Sequence, residues 1–469
     1  MDLFINHLNP KVMIKDAKEK SKKIVAMPLI NANAAGIDVG DTQFSVAVPK
    51  DRDDIQVKEF GAFTCDLKAI SEWLQHCKVE TVAMESTGIY WKSLFSILVQ
   101  DGFEVFLVNA KHVKNVTGRK TDESDAMWIQ RLHSCGLLNS CFLPDDQTET
   151  LRTLVRFRKN LTQDSTRYIL RMQKSLELMN IKTHTVISDI VGKTGTAIIE
   201  AILAGERIPE NFMPLIDGRI KADKQTLIKS LEGNWRKEHL ATLKISYDMY
   251  KIFQQKTIEC EKEIEETLQY FIAAKNEGVL ESVVNTERPN VNNKKKGIKQ
   301  KNKNSPAFNT RDYIKKIHQV DVMNIYGLNE IGALEILAET GTDLSKWLTE
   351  NHFVAWLNLC PNNKISGGKL ISSSRLKKKP NLASQAFRIA ANSLSRSDHW
   401  LGDYFRRMKT KGGTKYAIVA TARKLAIIYY KMVRYKQEFD PIDLKQYQDR
   451  YKAAKINYLE RKLAKLKAA

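Results

Sequence analysis

From Ala34 onward, short apolar runs alternate with amphipathic stretches. Ala35–Val39 and Phe44–Val48 read as two strands joined by the turn-like Gly40-Asp41-Thr42. A weaker strand lies near Ile55–Phe63. In Leu67–His76, the apolar Leu67, Ile70 and Leu74 recur at helical spacing. Thr81–Met84 reads as a buried strand, Ile89–Gln100 as a helix, Val105–Val108 as a strand, and about Thr121 to Cys135 as a last helix. The order is three strands, helix, strand, helix, strand, helix. After an initial meander, that alternation predicts a mixed sheet covered by helices.

The pattern then lengthens. Leu151, Leu154, Leu161, Tyr168, Met172, Leu176 and Met179 recur at spacings of three, four and seven, and Tyr250, Phe253, Ile264, Leu268 and Phe271 behave similarly. Both stretches predict long helices packed on each other or on a partner chain. Residues 289–306 are Lys- and Asn-rich and bounded by Pro289 and Pro306; such a segment buries no core and reads as a flexible basic linker. Tyr326–Gly341 reads as a glycine turn leading into a short helix, whose start could offer backbone N–H groups to phosphate. Residues 401–469 carry 18 Lys/Arg against 6 Asp/Glu and interleave Tyr with the cations, a composition suited to a nucleic-acid backbone.

Charge narrows the partner. The 469-residue chain has a formal net charge of +21, which points to a polyanion. No apolar run reaches membrane-span length, so nucleic acid is expected rather than a membrane. The start of the chain lacks the layout of a signal peptide, and a cytoplasmic, nucleoid-associated protein is expected. Cys65, Cys77, Cys135, Cys141, Cys260 and Cys360 form no C-x-x-C pair and read as free thiols.

Within this basic chain, four acids stand out. Asp38 ends the run Ala-Gly-Ile-Asp, Glu85 ends Thr-Val-Ala-Met-Glu, and Asp122 and Asp125 lie three apart in Lys-Thr-Asp-Glu-Ser-Asp-Ala. Strand-end positions would set Asp38 and Glu85 side by side, and the i, i+3 spacing would put the other two on one helix face. Hard oxygen donors of this kind select Mg²⁺ or Mn²⁺ and suit two-metal phosphodiester chemistry, as in nucleases of the RNase H type. Asp122 has a competing reading as a helix-start residue, and Asp41 and Glu123 compete as ligands. A second patch spans Pro361–Lys379, where Ser366 precedes Gly367-Gly368 and Lys364, Lys369, Arg375, Lys377 and Lys378 flank it. It reads as a basic Gly-Ser loop for phosphate. A nucleophilic serine there would need a base or metal beside it. Lys120 is a further candidate contact to nucleic acid.

These motifs together resemble the DEDD transposases of insertion sequences, relatives of the Piv-type DNA invertases. The resemblance rests on Gly36-Ile-Asp38-Val, Glu85-Ser-Thr-Gly88-Ile-Tyr90-Trp91, Val108-Asn109 and Lys120-Thr-Asp122-Glu-Ser-Asp125-Ala126. Further along it rests on Gly327-Leu-Asn-Glu-Ile-Gly332-Ala333, Leu357–Pro361, Ser366-Gly367-Gly368 and Ala422–Leu425. It implies an α/β RuvC/RNase H-like domain at 34–146 after a basic extension at 1–33. The sequence pattern sets a long-helix coiled-coil assembly region at 147–288 and a basic linker at 289–310, and the resemblance implies a mainly α-helical C-terminal transposase domain at 311–469. By the same resemblance Asp38, Glu85, Asp122 and Asp125 bind Mg²⁺, Ser366 is the nucleophile, a structured RNA from the element guides the protein to DNA, and a homodimer or homotetramer acts. Lys378-Lys379-Pro380-Asn381 stands where many relatives have a glycine, and 289–306 looks like an insertion; neither touches the proposed catalytic residues.

Three other readings compete. A resolvase-like metal-dependent endonuclease would use the tetrad without a covalent serine step. An actin-like ATPase or sugar kinase is suggested by Gly36-Ile-Asp-Val-Gly-Asp-Thr42, but a clear second phosphate loop is missing and the charge is unusual for such an enzyme. A non-enzymatic RNA-binding protein on an inactive nuclease fold is opposed by the complete tetrad.

Overall fold

The computed structural model describes residues 28–109, 113, 124–277, 304–374 and 381–467. The chain divides into two compact units, Met1–Leu143 and Pro144–Ala469.

In the first unit, β1 (Ala34–Val39), β2 (Gln43–Ala47), β3 (Val57–Gly61), β4 (Thr81–Glu85) and β5 (Glu104–Val108) form one sheet in the order β3-β2-β1-β4-β5. The pairs β1–β2 and β2–β3 are antiparallel; β1–β4 and β4–β5 are parallel. Parallel neighbours need crossovers, and α1 (Thr64–His76) and α2 (Trp91–Gln100) supply them. The sheet is buried on both faces, which is why its central strands are continuous apolar runs rather than alternating ones. On one face Ile37, Val82 and Met84 pack against Leu67, Ile70 and Leu74 of α1 and Leu94 and Leu98 of α2. On the other, Ala83 and Val108 pack against Trp128, Ile129 and Leu132 of α3 (Asp125–Ser134). The mixed sheet covered by helices, expected from the alternation, is therefore observed.

The second unit is built on α4 (Asp146–Leu178) and α7 (Lys237–Glu277). Contacts joining Arg158 to Glu261, Ser165 to Gln254 and Ser175 to Thr242 fall in opposite chain directions, so the two helices pair antiparallel within one chain. The stripe residues Leu151, Leu161, Met172, Leu176, Ile264 and Leu268 are buried. Between the long helices, α5 (Lys193–Ala204) and α6 (Lys224–Leu231) close a core of Met172, Ile198, Phe212, Leu231 and Leu243.

The remaining helices are α8 (Thr310–His318), α9 (Glu330–Thr340), α10 (Glu350–Trp356), α11 (Leu382–Ser393), α12 (Trp400–Tyr435) and α13 (Leu444–Lys467). The glycine turn before α9 is present: Gly327 has φ +82° and Asn329 caps the helix by accepting from Gly332 N–H at 2.8 Å. From Gly332 to Thr340 every residue of α9 is buried. Its acids meet cations of α4: Lys159 Nζ lies 3.0 Å from Glu335, and Arg156 forms a fork onto Glu339 at 2.9 and 3.0 Å. Burial pushes the Glu335 carboxyl above its usual range, with Lys159 opposing the shift. Helix α12 is broken at Gly412-Gly413, where Gly413 has φ +78°.

The segment around Ser366 departs from the loop expected for it. It is a hairpin of β6 (Asn362–Ser366) and β7 (Lys369–Ser374), pairing antiparallel. Gly367 and Gly368 have φ +55° and +74°, and two consecutive positive φ values are what a two-residue hairpin turn of the primed type demands.

Candidate active site

The position of Asp38 and Glu85 follows from strand register. Gly36 pairs with Ala83 and Ile37 with Met84 across the parallel β1–β4 ladder. One residue further along both strands are Asp38 and Glu85, so the two carboxylates are neighbours at the strands' carboxyl ends. Side chains alternate along a strand, so Asp38 shares its face with Gly36, and Glu85 shares its face with Ala83. That is the face covered by α3.

Helix α3 lies very close to it. A Cβ at Gly36 would stand 2.2 Å from Gln130 N and 2.4 Å from Ala126 O. Gln130 Nε2 also donates to Ala34 O at 3.2 Å, and Asn31 Nδ2 donates to His133 O at 2.9 Å. Chain numbers rise along β1 as they fall along α3, so the two run antiparallel and the N-terminus of α3 points toward the Asp38 end. Asp125 is the first residue of that helix. Three acids of the expected tetrad thus come to one face and one end of the sheet: Asp38 and Glu85 half-buried, Asp125 exposed.

A helix from about Thr121 was expected to carry Asp122 and Asp125 on one face; α3 begins at Asp125. Ser124 is its N-cap, in extended conformation (φ −62°, ψ 156°), with its Oγ accepting from Met127 N–H at 3.3 Å. By accepting from the N–H three residues on, Ser124 satisfies one of the free donors of the first turn and fixes the helix start there. Asp122 itself, its competitor Glu123 and Lys120 lie outside the described residues. Glu85 accepts from Thr87 Oγ1 at 3.1 Å, and Asp41, its other competitor, is exposed in the β1–β2 turn.

The donor chemistry suits a hard divalent cation: carboxylate oxygens from two strand ends and one helix start, with no thiol or imidazole among them. Among the described residues, no three His, Cys, Asp or Glu side chains converge into a metal-binding group.

In the second unit, Ser366 is the last residue of β6, exposed at the hairpin tip, and its partner across the ladder is Lys369. Lys364 faces Ser372 on the same ribbon. Arg375, Lys377 and Lys378 lie outside the described residues, as does most of the basic linker at 289–310.

Sequence reasoning missed Gly36, Ser124 and Thr87. The run Ala34-Ala35-Gly36 carried a signal: three small residues in a strand otherwise rich in branched side chains mark a close approach by another backbone.

Residues 35–181 match the family model of the IS110-type DEDD transposases, and residues 321–406 match that of the transposase IS116/IS110/IS902 family. These two matches make the chain similar to the IS110-type DEDD transposases of insertion sequences and support that reading of it. Transposases bind DNA, and this family generally works with a divalent metal. No curated protein matches the chain. Among the described residues, no helix is long and apolar enough to cross a membrane.

Proposed function

We propose that this transposase cuts and exchanges DNA strands of its insertion sequence through a serine–DNA intermediate. The observation that carries the reading is that Asp38 and Glu85 each follow the last paired residues, Ile37 and Met84, of two adjacent parallel strands, on the face covered by the helix that starts with Asp125. With Asp122, these carboxylates hold Mg²⁺ or Mn²⁺. When bound, the metal stabilises charge on the phosphoryl oxygens and lowers the pKa of a nearby hydroxyl.

Ser366 Oγ attacks the scissile phosphorus. A serine O–P bond forms, the bond to one deoxyribose oxygen breaks, the Oγ proton leaves, and the departing sugar oxygen takes up a proton. No redox change occurs. Strand exchange followed by the reverse attack restores a continuous backbone and frees Ser366. Placement on an exposed hairpin tip opposite Lys369 supports this role, since a tip can reach a phosphodiester and a cation beside it favours the approach of the anion. Lys120, Lys364, Lys369, Arg375, Lys377 and Lys378 hold the nucleic-acid backbone. A structured RNA from the element selects the DNA, and a homodimer or homotetramer brings the exchanging strands together.

The test is a trapping assay with full-length protein, co-purified RNA, labelled element-end DNA, and Mg²⁺ with or without chelator. Protein–DNA adducts that require Mg²⁺, Asp38 and Ser366 are expected, and both Asp38→Ala and Ser366→Ala remove them. Free cut ends that persist in Ser366→Ala, with no adduct, would make the protein a hydrolytic nuclease.

A further inference from the structure

Immediately after Glu85 the chain makes a tight turn that puts two large apolar side chains into solvent. Ile89 is 73% exposed and Tyr90 46% exposed. The turn itself is well fixed. Ser86 N–H donates to Val108 O at 3.0 Å, Thr87 N–H to Glu85 O at 3.0 Å, and Lys92 N–H to Ile89 O at 3.2 Å. The next residue, Trp91, roots the segment: its ring meets Phe95 edge-on at 5.7 Å, and both rings pack against the sheet core. Gly88 has φ +54°, and a Cβ there would come within 3.2 Å of Tyr90 Cδ2 and Cε2. The Tyr90 ring therefore lies over Gly88, held by a turn that only glycine forms easily.

Hydrophobic residues scattered singly over a surface need no explanation, but these two are adjacent, on a rigid turn, beside a candidate metal ligand. Four residues, folded into a turn, separate Tyr90 from Glu85, so the ring is tethered within at most about 17 Å of the carboxylate, a reach of a few nucleotides. An aromatic face at that place matches the π-face that every base offers, and a ring with only two torsions, already oriented, loses little entropy on stacking. Ile89 beside it has the shape of an apolar wedge that keeps a base step open.

We propose that Tyr90 stacks on a DNA base flanking the scissile phosphate, with Ile89 wedged beside it, so that the turn holds the cut strand in register with Glu85. The inference rests on the strand-cutting reading of the same site.

The test uses full-length protein with chelator present, so that binding is read without chemistry. The probes are element-end duplexes carrying 2-aminopurine at successive positions across the cut. Wild-type protein is expected to quench emission at one flanking position. Tyr90→Ala and Tyr90→Leu should lose that quench and bind roughly 5- to 150-fold more weakly, the range set by one stacked base. Tyr90→Phe should restore both. The inference is overturned if Tyr90→Leu quenches like wild type, if Tyr90→Phe does not rescue, or if only the matching RNA responds. Asp38→Asn separates this from the function proposed above: it should keep the quench while losing the adduct. A quench that depends on Tyr90 in a protein that never cuts would leave the stacking intact and remove the strand-cutting reading.

Discussion

Replacing Gly36 by Ala tests whether the contact between β1 and α3 organises the carboxylates. The added Cβ would meet Gln130 N at 2.2 Å, Ala126 O at 2.4 Å and Gln130 Cα at 2.7 Å. All three are backbone atoms, so no side chain can turn aside; ordinary contact begins at 3.4 Å. The helix must move about 1 Å, and overpacking of this kind costs about 1–3 kcal/mol. Asp125 moves with the helix, whereas Asp38 and Glu85 stay with the sheet. A 1 Å misplacement of reacting groups can cost about 100-fold in rate. The expected result is a lowered urea midpoint together with a roughly 100-fold drop in adduct formation. The rate effect is too large to come from unfolding, because a loss of about 1–3 kcal/mol from a typical stability of about 5–15 leaves most molecules folded. Gly218→Ala is the control: its Cβ would meet nothing within 4 Å, and its midpoint should stay within about 0.5 kcal/mol of wild type. An unchanged urea midpoint and an unchanged rate in Gly36→Ala would refute the reasoning.

Two further outcomes follow from buried polar groups. His133 is buried against Phe106 with Nε2 2.9 Å from Thr81 Oγ1, and burial lowers its pKa from 6.5 to about 4. The unfolded chain therefore binds more protons between these values, so the neutral imidazole's contribution is complete above pH 6.5 and is lost as pH falls toward 4. The loss should reach about 3 kcal/mol, read as the difference in urea midpoint between pH 7 and 4 for wild type against His133→Asn; parallel curves would contradict it. Arg158 is buried with Nη2 2.7 Å from Glu261 Oε1, and the other carboxylate oxygen accepts from Ala307 N–H at 2.8 Å. Arg158→Ala strands that carboxylate and should destabilise by about 3–5 kcal/mol, with partial recovery in Arg158→Met/Glu261→Leu, measured by thermal melting; no recovery in the double variant would argue against a stranded charge.

How much could be read in advance depended on whether burial left a period in the sequence. The sheet strands were legible because both faces are covered and Ile37, Val82 and Met84 fall in unbroken apolar runs. The long helices were legible from their stripes, but a stripe does not name its partner. Only the facing of Arg158 on Glu261 and Ser165 on Gln254 makes it the same chain. The β6–β7 hairpin was not legible as strands, because Ile365, Leu370 and Ile371 are all exposed and no buried face imposes a period of two. The Gly367-Gly368 pair, read as a loop for phosphate, is the two-residue turn of that hairpin. At the site, strand-end placement of Asp38 and Glu85 was legible from the ends of apolar runs, whereas the start of α3 was not: it turns on a single capping hydrogen bond that Met127 N–H donates to Ser124 Oγ.

Charge gives a second criterion, one that spacing alone lacks. The buried acids Glu261, Glu335 and Glu339 each face an Arg or Lys of α4, so their charge is cancelled locally and serves packing. Glu261, Glu335 and Glu339 sit within helices, at positions where a neighbouring helix supplies the cation. Asp38 and Glu85 instead sit where two strands end side by side, a geometry that brings like charges together. Like charges at adjacent strand ends repel, and a cation bound beside them would offset that cost. The cations divide in the same way: Arg156, Arg158 and Lys159 of α4 are paired with acids inside the second unit, whereas Lys364 and Lys369 beside Ser366 are exposed.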